Sequence, residues 1–174
     1  FAAQFAEPKI EEGMPNAIEQ ALTRMLTQHE PFPMVIVNHR YDLIRTNQGG
    51  QRLMMRMIAD PTALDGPPNL FRLLFDPRLG RNAVVDWDRT ARALLSRLHR
   101  ESLARAGDAE LAALVRSLLE YPDVPVSFRH PDFSVPSEPT LVLRLRSDDL
   151  ELAFLTTITM FSAPQNVTLE ELRI

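Results

Sequence analysis

The apolar residues of this chain change their spacing twice, and this change is the strongest constraint on its fold. Near both ends they alternate with polar residues or form short runs, as they do in β-strands. Between these regions they recur at intervals of three and four, as they do on one face of an α-helix. Five segments read as strands: residues 34–37, 42–46, 140–146, 150–161 and 167–174. The order is therefore two strands, several helices and three strands.

Consecutive strands that are joined by tight turns pair antiparallel, and helices then collect on one side of the sheet. The polar residues 38–41 and the Ser-Asp-Asp sequence at residues 147–149 supply such turns. We therefore expect an α+β fold with a five-stranded antiparallel sheet and helices inserted between strands 2 and 3. The run 150–161 is expected to form one continuous strand.

A further helix precedes the first strand. Asn16 can cap it, Glu19 completes a capping-box pattern, and Pro31 ends the helical run. Its apolar stripe consists of Ile18, Leu22, Met25 and Leu26. We expect this helix to lie outside the core of the sheet and to serve dimer contact or signal transfer. Residues 1–30 would then form a linker and helix, and residues 31–174 the domain itself.

The middle of the chain holds helices with strong apolar stripes. The sequence NLFRLLFDP predicts a short helix that carries two phenylalanines on one face. Asp86 and Asp108 can each cap one of the two longer helices that follow, because their side chains can accept hydrogen bonds from the first backbone N–H groups. A proline-rich connector between residues 122 and 139 separates these helices from the later strands.

Composition excludes several classes of function. The chain has 174 residues and no cysteine, which removes thiol catalysis, CxxC redox chemistry and cysteine-ligated zinc. Its net charge of -4 argues against a nucleic-acid surface, because such surfaces depend on clustered cations. No apolar run approaches the roughly 18 residues of a membrane span. We therefore expect a cytoplasmic protein without membrane contact. Phe1 is not a natural start, so we also expect a segment upstream.

Motifs that would indicate an enzyme or a metal site are missing from the sequence. The Gly-Gly pair at residues 49 and 50 has neither the spacing nor the lysine of a phosphate-binding loop. We interpret Asn47 as the cap of a helix, and the glycines as small residues that let this helix pack closely on the sheet. The four histidines are far apart and lack metal-ligand spacing. We expect neither catalysis nor a bound metal or cofactor.

The polar cluster SFRHPDF, at residues 127–133, has two interpretations. Arg129 and His130 could contact an anionic group, because the guanidinium of arginine is shaped to bind carboxylates. Alternatively, the segment is a solvated connector with one ion pair to Asp132. The residues themselves leave both interpretations open.

Several stretches, taken in order, resemble one known family: HEPFPMVIVNHRYDLIRTNQGGQRLM, NLFRLLFDPRL, VDWDRTARALLSRLHRE, LVRSLLEYPDVP and TTITMFSAPQNVTLEELRI. They look like the ligand-binding domain of MmyB-like transcription regulators over about residues 17–174. The resemblance implies a PAS-like fold with a fatty-acid-like ligand in its pocket. It also implies a helix-turn-helix domain N-terminal to this chain, through which alone DNA would be bound. Many members carry a Trp-x-Arg-His pattern, and Arg129 and His130 match its last two positions.

A ligand cavity is expected between one face of the sheet and the helices that cover it. Period-two alternation places one set of residues of the long strand on that face, and the stripes of two middle helices would face them. The candidate ligand-binding residues are Phe71, Leu74, Phe75, Trp87, Leu94, Leu98, Arg129, His130, Leu152, Phe154, Thr156 and Ile158. Of these, Arg129 or His130 would meet the carboxylate of the ligand.

Two functions remain open from the sequence. The first is a sensor domain that binds an apolar, acyl-type ligand and passes its occupancy to the upstream DNA-binding domain. The second is a dimerisation module of the same fold without a small ligand. A packed core and a ligand pocket use the same residue types, so sequence does not separate the two. A homodimer is expected for either.

Overall fold

The structure is a computed structural model that describes residues 16–130, 142–156, 158–159 and 172–173. Its helices are α1 (Asn16–Gln28), α2 (Gln48–Met57), α3 (Leu70–Phe75), α4 (Trp87–Ala104) and α5 (Ala109–Leu118). Its strands are β1 (Val35–Val37), β2 (Leu43–Thr46), β3 (Val142–Ser147), β4 (Leu150–Leu155), β5 (Ile158–Thr159) and β6 (Leu172–Arg173). Short 3₁₀ helices cover Pro61–Ala63, Arg81–Ala83 and Val126–Arg129. This order confirms the α+β class, the N-terminal helix and the helices between the second and third strands.

The described strands pair in two antiparallel sheets. One has four strands in the order β2-β1-β6-β5, and the other is the β3–β4 hairpin. The expected five-stranded sheet stays a prediction. The expectation of one continuous strand over residues 150–161 is wrong, because β4 pairs with β3 whereas β5 pairs with β6. Residues 140–141, 157, 160–161, 167–171 and 174 of the expected strands lie outside the described residues.

The chain divides into two compact units. The first unit comprises residues 1–70 and 157–174, and the second unit comprises residues 71–156. The second unit is therefore inserted, in chain order, between two parts of the first. The boundary that the sequence suggested at residue 30 stays a prediction.

Helix α1 belongs to the core of the first unit. Its residues Leu22 and Leu26 are 0% and 5% exposed and form a cluster with Ile36 of β1. Ile18 and Met25, on the same stripe, pack against this cluster. The expectation that α1 lies outside the core is thus wrong, because its apolar stripe is buried on the sheet's first strands. A role for α1 in dimer contact stays a prediction.

Asn47 fixes the start of α2, as the sequence predicted. Its side-chain oxygen accepts hydrogen bonds from the backbone N–H groups of Gly50, at 2.8 Å, and Met34, at 2.9 Å. Its amide nitrogen donates to the carbonyl of Phe32 at 2.8 Å. A Cβ on Gly49 would lie 2.6 Å from the Pro31 carbonyl oxygen, so only glycine allows this close approach of the helix.

A carboxylate that the sequence did not predict also stabilises the start of α2. Glu30 accepts hydrogen bonds from the backbone N–H of Gln48, at 2.6 Å, and of Gly49, at 3.2 Å. Arg52, one turn into the helix, lies 3.4 Å from the same carboxylate. A negative charge at this end of a helix interacts favourably with the helix dipole.

In the second unit, the β3–β4 hairpin has one apolar and one mixed face. On β3, Leu145 is buried and Leu143 half-buried, whereas Val142, Arg144 and Arg146 are exposed. Strand β4 repeats the pattern, as the sequence predicted. The backbone N–H of residue 85 donates to the carbonyl of Arg144 at 3.0 Å, which joins the hairpin to the segment before α4.

The two long helices begin differently. Asp108 caps α5 as predicted, because its side chain accepts a hydrogen bond from the backbone N–H of Leu111 at 3.0 Å. Asp86 occupies the capping position of α4 but makes no capping hydrogen bond with its side chain. Its backbone is left-handed, with φ of 50°, whereas a capping side chain needs an extended backbone to reach the helix. The prediction was right about the position and wrong about the contact.

Candidate ligand-binding site

All of the candidate ligand-binding residues except Ile158 lie in the second unit. Ile158 is in strand β5 of the first unit, and its side chain is outside the described part of the structure. All but one of the residues that the sequence selected therefore belong to a single compact unit. Their joint role as a binding site stays a prediction.

The aromatic members of this set pack against one another. The ring centroids of Phe71 and Phe75 are 6.1 Å apart, and those of Phe75 and Trp87 are 4.9 Å apart in an edge-on arrangement. These three side chains are 1%, 0% and 8% exposed. Edge-on contacts of this kind add roughly 0.5–1.5 kcal/mol beyond the burial of area. Helices α3 and α4 are thus joined by a continuous aromatic cluster.

The indole of Trp87 is held from both sides. Its Nε1–H donates to the backbone carbonyl of Asp123 at 3.0 Å. The guanidinium of Arg81 lies 4.1 Å from the centroid of the ring and 3.6 Å from the Asp123 carboxylate. A cation over an aromatic face is attracted by the ring's quadrupole. These contacts fix the orientation of the Trp87 indole at the start of α4.

The aliphatic members on the helices are equally buried. Leu74 of α3 is 6% exposed, and Leu94 and Leu98 of α4 are 7% and 0% exposed. Leu94 and Leu98 lie one turn apart on the stripe that begins at Trp87, so α4 presents a continuous apolar surface.

The apolar face of the β3–β4 hairpin is less completely covered than these helices. The register places Leu143 opposite Phe154 and Leu145 opposite Leu152, on the same face. Only Leu145 of these is buried, and the others are half-buried. Thr156, just beyond β4, is half-buried too. The second unit thus contains apolar side chains that its own residues leave partly uncovered.

The two candidates for the head group of the ligand lie on the surface. Arg129 ends the 3₁₀ helix Val126–Arg129, and both it and His130 are exposed. The neighbouring Phe128 is buried, and the guanidinium of Arg92 lies 5.0 Å from the centroid of its ring. Asp132, the acid of the alternative interpretation, lies outside the described residues. The buried phenylalanine anchors the segment and leaves the side chains of Arg129 and His130 in contact with water.

Sequence reasoning missed His99, on the flank of α4. Its imidazole hydrogen-bonds to the backbone of Phe128, and burial lowers its pKa although that hydrogen bond opposes the change. Its Nε2 atom is buried and has no hydrogen-bond partner in the described part of the chain. Its place four residues after Leu95, on the margin of the stripe, was the available signal.

A buried carboxylate, Asp76, closes the end of α3. It accepts hydrogen bonds from the Arg78 side chain, at 2.7 Å, and from the Tyr121 hydroxyl, at 3.4 Å. The bonds from Arg78 hold the pKa of Asp76 below its usual value, although burial opposes this. Burial, followed by the nearby charge of Asp76, raises the pKa of Tyr121. Asp76, Arg78 and Tyr121 have a structural role, because the two donors and the carboxylate satisfy each other's hydrogen-bonding groups.

Among the described residues, no group of three or more histidine, aspartate or glutamate side chains is placed to hold a metal ion. None of the helices that the structure describes is both long and apolar enough to cross a membrane.

These features are those of an α+β domain with an apolar interior in its second unit. The chain belongs to the family described as the MmyB-like transcription regulator ligand binding domain, whose family model matches residues 18–174. This confirms the family that the sequence motifs suggested. Membership implies a small-molecule ligand and a DNA-binding partner domain. A comparison with curated proteins finds no match to this chain.

Proposed function

We propose that this chain is the ligand-sensing domain of a helix-turn-helix transcription regulator and that it binds a fatty-acid-like molecule within its second unit. DNA contact belongs to an upstream domain, and the binding domain has no catalytic role. Its expected location is the cytoplasm. A homodimer is the expected assembly.

The observation that carries this proposal is the incompletely covered apolar face of the β3–β4 hairpin. Leu143, Leu152 and Phe154 are half-buried, although they lie on the face that also carries the buried Leu145. An acyl chain along these side chains would remove apolar surface from water on both partners. Each buried methylene contributes roughly 0.8 kcal/mol, so a dozen carbons are enough without many polar contacts.

Arg129 and His130 are suited to the head group because they are exposed. A carboxylate that stays in contact with water avoids most of the cost of burying a charge. Arg129 can bind it through two parallel hydrogen bonds from its guanidinium. The acyl chain would then enter the second unit from the end of the 3₁₀ helix Val126–Arg129.

Neighbouring residues of β4 provide a matched test of the apolar site. Phe154 and Ala153 are adjacent, but Phe154 lies on the apolar face and Ala153 on the exposed face. Phe154→Glu should abolish the binding of dodecanoic acid in calorimetric titration, and Ala153→Glu should leave it unchanged. Circular dichroism must show that both variants are folded. Equal binding by both variants would refute the site, and no binding by the wild type would refute the fatty-acid ligand.

The head-group assignment is tested separately. Arg129→Ala should weaken dodecanoic acid more than dodecanol, because the alcohol has no carboxylate to lose. Arg116→Ala, an exposed arginine of α5, is the matched control and should change neither affinity. If Arg129→Ala weakens both ligands equally, the assignment is wrong while the apolar site can stand.

One observation favours the alternative, an interaction module without a small ligand. Val142 and Leu155 are paired across the β3–β4 hairpin on its outer face and are 52% and 56% exposed. Exposed apolar residues that adjoin one another are suited to contact with another protein surface. Native mass spectrometry separates the two functions: a co-purifying lipid supports the sensor, whereas a lipid-free dimer that Leu155→Glu dissociates supports the module.

A further inference from the structure

The outer face of the β3–β4 hairpin, opposite the proposed ligand site, carries three rows of side chains that are paired across the two strands. The rows are Val142 and Leu155, Arg144 and Ala153, and Arg146 and Glu151. All of these residues are exposed. Paired residues have Cβ atoms about 5 Å apart, and successive rows on one face follow at about 6.6 Å. The face therefore has an apolar row at one end and, about 13 Å away, a charged row.

The second and third rows carry more positive than negative charge. The guanidiniums of Arg144 and Arg146 lie 2.5 Å and 2.7 Å from the Glu151 carboxylate, so two cations share one anion. Their side chains are still 51% and 58% exposed. The acidic turn residues 148 and 149 lie beyond the third row, at the end away from the apolar row. A partner that complements this face brings apolar side chains with carboxylates close to them.

The N-terminal segment of the chain, residues 1–15, has this composition. Its sequence is FAAQFAEPKIEEGMP, with three glutamates against one lysine. Phe5 and Glu7 are two residues apart, and so are Ile10 and Glu12. Two residues of an extended chain span about 6.6 Å, the distance between neighbouring rows of the hairpin face. An apolar side chain on the first row would thus bring a carboxylate of the same segment to Arg144.

We propose that the outer face of the β3–β4 hairpin binds residues 1–15 of a second copy of this chain. Apolar side chains such as Phe5 cover the first row, and glutamates meet the two arginines. Each copy contributes one face and one segment, so the contact forms twice about a two-fold axis, and two weak contacts act together. This exchange gives the expected homodimer and does not depend on a ligand in the second unit.

Charge reversal on either side tests the contact in the full chain. The double substitution Arg144→Glu and Arg146→Glu reverses the face, and Glu7→Arg with Glu12→Arg reverses the segment. Each should raise the Kd of the dimer about tenfold or more, because attraction becomes repulsion at both copies of the contact. All four substitutions in one chain should restore most of the affinity, which also shows that the reversed face is folded. Sedimentation velocity over a range of concentrations measures the Kd.

A matched control reverses charges away from the face. Glu110 and Arg116 are exposed residues of α5, and the pair Glu110→Arg and Arg116→Glu should leave the dimer unchanged. The wild-type dimer should weaken in about 1 M sodium chloride, where charges are screened beyond roughly 3 Å. Circular dichroism checks that every variant is folded.

Spin labelling tests whether the segment comes from the second copy. The chain has no cysteine, so Ala3→Cys provides a single attachment site. Spin-labelled chain without isotope is mixed with ¹⁵N-labelled wild type. The backbone amide signals of Ala153 and Leu155 should then broaden, because the label and the observed face belong to different copies.

Several results would overturn the inference: a monomeric wild type, a dimer that survives either reversal, or an equal loss in the control pair. Broadening that requires the spin label and the isotope on the same chain also overturns it, because the segment would then bind its own copy. The fatty-acid site is unaffected by any of these results, since it is tested by the binding of dodecanoic acid to Phe154→Glu and Ala153→Glu.

Discussion

Different kinds of interaction stabilise the interior of each of the two compact units of this chain. In the first unit, the apolar cluster around Leu22 and Ile36 is accompanied by a buried polar network. Asn47 hydrogen-bonds to backbone groups of Phe32, Met34 and Gly50, and Glu30 adds a carboxylate at the start of α2. In the second unit, the centre is an apolar cluster around Phe75 and Trp87. Polar groups such as Asp76 lie at the ends of its helices.

The difference has a consequence for what each unit can tolerate. A hydrogen bond requires particular atoms at particular angles, so a buried polar network such as that of Asn47 permits few replacements. An apolar core accepts side chains of different shape provided that its volume is kept. The second unit is therefore the one in which a binding surface can vary without loss of the fold, which suits the proposed ligand site.

The largest effect is expected from removing volume at the centre of the second unit. Phe75→Ala should destabilise the protein by about 3–5 kcal/mol, because it leaves a cavity at a fully buried position. Phe75→Leu keeps most of the volume and should cost less than half as much. Urea denaturation measures both. A similar loss for both variants would show that ring contacts, not volume, hold this unit.

In the first unit, the chemistry of the side chain should matter more than its volume. Asn47→Leu keeps the approximate size but leaves several buried backbone groups unpaired, so we expect a loss of about 3 kcal/mol. Asn82→Leu is the control, since Asn82 is exposed and should change the free energy of unfolding by less than about 0.5 kcal/mol. If Asn47→Leu is tolerated like its control, the contrast between the units fails.

The close packing of α2 against Thr46 and Met34 predicts a smaller loss of stability when a glycine of this helix is replaced. A Cβ on Gly50 would lie 2.1 Å from Thr46 Oγ1 and 2.9 Å from the Met34 carbonyl oxygen. Gly50→Ala should therefore destabilise the protein by about 1–3 kcal/mol. Gly107→Ala meets nothing within 4 Å and should be neutral or slightly stabilising. Thermal unfolding of the pair checks this, and equal melting temperatures would contradict it.

The smallest effect concerns pH and Asp76. Because the pKa of Asp76 is lower in the folded protein than its ordinary value of 3.8, its ionised form stabilises the fold above that value. This contribution is lost as the pH falls through the lowered pKa. Its size is modest, since Arg78 is 64% exposed and water screens the ion pair. Unfolding free energies of the wild type and Asp76→Asn should differ at pH 7 and converge near pH 2.

Sequence patterns predicted the interactions that are local in the chain. Asn47 and the glycines after it stand next to the helix they start, and Asp108 precedes the residue it bonds by three positions. Glu30 was missed because it acts 18 positions away, where only the folded chain brings it to the helix. Asp86 was misjudged because residue type does not reveal a left-handed backbone.

The apolar stripes of α3 and α4 were also readable, since helical period alone identifies the buried face. The break between β4 and β5 could not be predicted, because apolar and polar residues alternate in the same way whichever neighbouring strand a strand pairs with. His99 was missed for a similar reason: its orphaned nitrogen arises from the bond to Phe128, which joins residues far apart in sequence. Contacts of this kind depend on information that only the folded chain contains.

The order of the four-stranded sheet constrains how the chain can be made. Strand β6 lies between β1 and β5, yet it follows every other described element along the chain. During synthesis the β1–β2 hairpin emerges early. Strand β6, which pairs with β1 in the folded sheet, leaves the ribosome only after the other described elements. Until then the Val-Ile-Val sequence of β1 presents an unpaired edge, the kind of surface that nucleates aggregation. Expression of this domain should therefore depend on the rate of translation and on chaperones that shield its N-terminal hairpin.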